Sequence, residues 1–159
     1  MSPKIFSAKD GVLPKDLVRY GLDHISGGFK LFGHPFHFDS AGYLVHIGYE
    51  CLLKGWILEL TGKFDGVHSI KELTKQIPEL SIDSLPPDFI EALAIIDEYR
   101  HLRYPNRNIP QSVGSEEMEL IRELVCYTIS LLPNSLHTTD AEAHVTKGGR
   151  TLMKKKIDS

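Results

Sequence analysis

At 159 residues the chain is long enough for one domain with a sizeable core. Its 42% apolar and 25% charged residues are ordinary for a globular protein. A net charge of −3 gives no general attraction to nucleic acid or membranes, which leaves any such contact to a local cluster.

Met1 to Val12 reads as a loose leader without the apolar core of a signal peptide. A helix is expected from about Leu13 to Leu31, because Pro14 suits a first turn and Leu17, Val18, Leu22 and Ile25 share a face. Gly21, Gly27 and Gly28 weaken it, and mark either a close helix contact or fraying. A short loop, FGHPFHFDS, follows, with Asp39 or Ser40 as cap for the next helix. So short a link makes the first two helices antiparallel neighbours.

The second helix, Ser40 to Thr61, is apolar on most sides, as a central helix must be. Trp56 is expected to be largely buried there. His46, Glu50, Lys54 and Thr61 fall within one sector of about 80°. Glu50 precedes Lys54 by four residues, the favourable order for an ion pair. The charges His46, Glu50, Lys54 and Glu59 argue against a membrane span.

Ser69 is the expected cap of a short helix, IKELTKQIPEL, ended or kinked by Pro78. The next helix, PDFIEALAIIDEYRHLRY, turns Phe89, Ile90, Leu93, Ala94 and Ile96 inward and stops before Pro105. Ser115 is the expected cap of the last long helix, with Glu116 and Glu117 suiting its dipole. Met118, Ile121, Leu124, Val125 and Leu132 face inward, and Pro133 ends it. From Asn134 to Ser159 the chain is polar and aperiodic, and a mobile tail is expected. No repeat and no convincing strand is visible. The fold class is therefore all-α, an up-and-down bundle of four long helices and one short helix over residues 13–133.

Chemistry-bearing clusters are few. His34 and His37 form an H-x-x-H loop without a cysteine or acidic partner at ligand spacing, so neither a metal nor a cofactor is expected. Cys51 and Cys126 lie in apolar helical runs and read as buried reduced thiols, in keeping with a cytoplasmic protein. The run EYRHLRYPNR gathers Tyr99, Arg100, His101, Arg103, Tyr104 and Arg107 at one helix end. Such arginines can satisfy terminal carbonyls, or grip phosphate while the tyrosines stack on a base.

Three pieces in order resemble the HEPN family, helical domains named for nucleotide binding in higher eukaryotes and prokaryotes. AGYLVHIGYECLLKGWILELTG resembles the family's second helix, VHSIKELTKQI the segment after it, and DEYRHLRYPN the run closing the next long helix. With the last helix they cover about Leu13 to Leu132. The resemblance implies a HEPN-like bundle, commonly dimeric. It implies association with a nucleotide, with RNA, or with a partner such as a minimal nucleotidyltransferase. The ribonuclease members carry an R-x(4–6)-H motif near the end of the fourth-helix region, and no histidine stands at that spacing after Arg100, Arg103 or Arg107. Arg19 and His24 have the spacing on the wrong helix. The expectation is a non-catalytic module, its ligand held by His46, Glu50, Lys54, Arg100, Arg103 and Tyr104. The alternative is a metal-independent ribonuclease using His46 or His101 with Arg103.

Overall fold

The computed structural model describes residues 4–32, 38–99 and 114–146, and these form an all-α body with one small β-ribbon. The long helices are α1 (Pro14–Phe32), α2 (Phe38–Thr61), α4 (Pro87–Glu98) and α5 (Ser115–Leu131); the short one is α3 (Ile70–Thr74). A further helix, α6, covers residues 139–146.

α1 and α2 are antiparallel, as the short link requires. Their seam is set by glycine. A Cβ on Gly48 would stand 2.5 Å from the Gly21 carbonyl oxygen, one on Gly28 2.8 Å from that of Ala41, and one on Gly55 2.8 Å from that of Pro14. Gly21 and Gly28 on α1, and Ala41, Gly48 and Gly55 on α2, each recur every seven residues, about two helical turns, so one small face meets another. Gly21 and Gly28 therefore mark close contact rather than fraying. A Cβ on Gly27 would meet nothing within 4 Å, so that glycine has no part in the seam.

α2 is central. Val45, Tyr49, Leu52, Leu53, Trp56 and Ile57 are each at most 1% exposed. Around it the core takes in Leu22 and Ile25 of α1, Leu73 of α3, Ile96 of α4, and Leu124 and Val125 of α5. The Thr128 hydroxyl donates to the Leu124 carbonyl, so the buried Tyr49 hydroxyl donates to Thr128 at 2.8 Å and ties α2 to α5. Tyr99, just past α4, lies against Gly42, where any Cβ would run into its ring.

Several expectations need correction. The leader is not loose from Ile5 onward. Strand β1 (Ile5–Ser7) pairs antiparallel with β2 (Lys63–Asp65), with Phe6 opposite Phe64 and their rings stacked 5.2 Å apart. Ser7 and Asp10 then close a capping box around the turn at residues 8–10. Ser69 does cap α3, accepting from Glu72 N–H at 3.3 Å. Ser115, in contrast, is the first residue of α5. Gly114 holds the cap position, and its N–H donates to Glu117 Oε2 at 3.1 Å. The segment after Pro133 is packed at least as far as residue 146, with Leu136 and Val145 both 1% exposed. Val145 stands one turn beyond Ala141, a short apolar stripe that suffices once a groove receives it. Cys51 and Cys126 are half-buried rather than buried and are not joined in a disulfide.

Candidate functional site

Three of the four residues predicted as a polar row on α2 are covered, and the fourth, Thr61 at the end of the helix, is exposed. His46 is 3% exposed, Glu50 and Lys54 7% each, on successive turns of one helix face. A polar row at that depth must be answered by neighbours, since unpaired buried charge is strongly unfavourable.

Each member is answered from a different element. His46 Nδ1–H donates to the Ile96 carbonyl at 2.8 Å, which binds the end of α4 to α2. Only the protonated Nδ1 can face a carbonyl oxygen, so Nε2 is the acceptor nitrogen of the neutral ring. Burial pulls the imidazole below its ordinary 6.5, against the upward pull of the Ile96 carbonyl, Glu50 and Asp97. Glu50 Oε1 accepts from His68 Nδ1 at 2.7 Å and lies 3.4 Å from Lys54 Nζ. The Lys54 ammonium also sits 5.7 Å from the centre of the Phe64 ring of β2. Beside them Asp97, 1% exposed, accepts from the Ile70 N–H at 2.6 Å and so holds the first turn of α3.

The network therefore joins α2, α3, α4 and the ribbon. Its chemical capacity follows from those bonds. The His46 donor nitrogen is committed to a carbonyl, and Glu50 is committed to the His68 ring and the Lys54 ammonium. What faces outward is His68, whose side chain is 65% exposed. His46 in this setting is poorly placed as the proton donor or acceptor that the ribonuclease alternative asks of it.

The structure brings His46, Glu50 and Lys54 together with two residues that sequence reasoning did not assign to the site, His68 and Asp97. Asp97 had a legible signal: it follows Leu93 by four on the inward face of α4, where a carboxylate needs a donor. His68 had none, because only the fold brings the loop before α3 to Glu50. Arg100, Arg103 and Tyr104, with His101, Arg107, His34 and His37, lie outside the described residues. Among the described residues no three His, Cys, Asp or Glu side chains gather in a metal-binding arrangement. No helix among them is long and apolar enough to cross a membrane.

No family model, no curated protein and no solved structure matches the chain.

Proposed function

We propose that the chain is a non-catalytic binding module with a HEPN-like bundle, and that it takes a nucleotide- or RNA-like anion at the end of α4. One observation carries this reading. α4 ends on the polar row of α2, through the His46 bond to Ile96 and the seat of Tyr99 on Gly42. The chain continues directly from Tyr99 into the run that holds Arg100, Arg103, Tyr104 and Arg107. Guanidinium groups suit bidentate phosphate contact, and tyrosine suits base stacking.

On this reading Glu50 and Lys54 are the base of the site, and the arginines supply its charge. A homodimer, or a complex with a minimal nucleotidyltransferase, is the expected setting, as in the family that the motifs resemble. Calorimetric titration of ATP and a short oligoribonucleotide into wild type and Arg103→Ala tests the reading. Binding by wild type that weakens at least tenfold in the variant supports it, and equal binding by both would sink it. Incubation with mixed RNA and a chelator tests the ribonuclease alternative, for which intact RNA is the expected result.

A further inference from the structure

A second candidate is built from other elements than this row. α1 and α6 enclose a groove of about 660 Å³. From α1 it receives Lys15, Arg19 and Lys30, spaced along one helix face, and Asp23 between them. Among the described residues none of these three cations has a carboxylate within 4.0 Å. Three unpaired cations on one wall of a concave surface form a potential well for an anion.

The opposite wall is the N-terminus of α6, lined by Thr138, Thr139, Asp140 and Ala141. First-turn N–H groups need acceptors, and the residue before the helix ordinarily provides one, as Ser69 does for α3. Thr138 stands at that position and does not do so. It is 5% exposed, and among the described residues its hydroxyl has no hydrogen-bond partner. Glu142 takes the Thr138 N–H and the His137 ring N–H, leaving the N–H groups that follow to another acceptor. Among the described residues this is a buried hydroxyl without a partner, at a helix start without a side-chain cap, in a groove with unpaired cations, and the arrangement is incomplete. An oxyanion in the groove that Thr138 lines completes it.

We propose that this groove binds a phosphate monoester whose remainder carries hydroxyl or amino groups. The phosphate sits at the start of α6 against the α1 cations. Asp23 and Asp140 accept from the donors of the remainder, and they oppose the higher charge of a polyphosphate. This site does not depend on the proposed function above and uses none of its residues.

The probe is AMP, titrated calorimetrically against the full chain, with inorganic phosphate, adenosine and ATP as comparators. AMP is expected to bind, adenosine not to bind, and phosphate and ATP to bind at least fivefold more weakly than AMP. Lys15→Gln with Arg19→Gln should weaken AMP at least tenfold, and Thr138→Val several-fold, while Lys75→Gln, outside the groove, should leave it unchanged. The two α1 side chains are exposed, so thermal melts of the double variant should match wild type. No AMP binding at millimolar concentration would overturn the site, as would AMP binding untouched by the double variant. Loss of AMP binding in Arg103→Ala, with the double variant unaffected, would assign the ligand to the end of α4 instead. Phosphate binding as tight as AMP would overturn the monoester assignment.

Discussion

Glu50 is held by two partners of unequal standing. Lys54 shares its burial, each side chain being 9% exposed, whereas the His68 imidazole is largely in solvent. Replacing Glu50 by Gln strands a buried ammonium, and such a loss costs about 3–5 kcal/mol, against roughly 0.3–0.5 kcal/mol for an exposed helical pair. Lys54→Met on that background should recover most of the loss, because the stranded charge has gone. His68→Ala should cost less than about 1 kcal/mol, as for a solvent-exposed pair. Urea unfolding of the single variants Glu50→Gln, Lys54→Met and His68→Ala and of the Glu50→Gln/Lys54→Met double variant measures all of this, and strictly additive values for the pair would mean that Glu50 and Lys54 do not answer one another. His46 makes a further prediction. Its folded pKa lies below 6.5, so near that pH the unfolded chain binds more protons. The contribution is complete above the unfolded pKa and is lost as pH falls below it. His46→Gln should therefore flatten the fall in melting temperature between about pH 7.5 and about pH 5.5.

At the scale of elements, the α1–α2 seam makes opposite predictions for glycines in one helix. Gly21→Ala would put a methyl into the Gly48 carbonyl and force the helices apart, at about 1–3 kcal/mol or more. Gly27→Ala meets nothing and should stabilise by about 0.5–1 kcal/mol through helix propensity alone. Chemical unfolding separates the two, and similar values would mean the helices are not in close contact. Glycine in a helix reads ambiguously in a sequence, because the reason for it stands on the neighbour. The helices themselves were legible, since each carries its own period and most of its own punctuation: Pro14, Ser69 and Pro133 act where they stand, whereas α3 stops at Thr74, before the expected stop at Pro78, which opens a separate turn over Pro78–Leu80. The ribbon was not. Three-residue strands have too little length to show alternation, and Ile5–Ser7 and Lys63–Asp65 are extended because they meet. α6 falls between these cases, with only Ala141 and Val145 to declare its inward face.

For the molecule as a whole, α6 completes one side of α1. Removing Thr138 to Ser159 withdraws the buried Val145, a side chain worth about 1.5–3 kcal/mol, and exposes what it covers. For a domain of this size the melting temperature should fall by roughly 4–10 °C, and an unchanged value would mean that α6 rests on the bundle without stabilising it. The same truncation should abolish AMP binding, since it removes one wall of the groove. The α2 half of the candidate site could be read from helical spacing, because its charges recur once per turn. Its burial could not, because the cover comes from His68, Ile96 and Asp97, which only the fold assembles. The groove on α1 was out of reach for the same reason: its cations look like ordinary solvent-facing charges until α6 stands beside them.

The β1–β2 ribbon also bears on the order in which the chain folds. Its two strands are separated in sequence by the whole of α1 and α2. Closing so long a loop in a disordered chain costs more entropy than three residue pairs return. Once the helical hairpin has formed, its open end holds the two strand segments close together and the cost has already been met. The ribbon is therefore a late clasp, fastened after the hairpin and released before it. Its departure would uncover Phe64 and with it the ring against which Lys54 rests. That release begins at the edge of the buried polar row, so the stability of that row and the lifetime of the clasp are coupled.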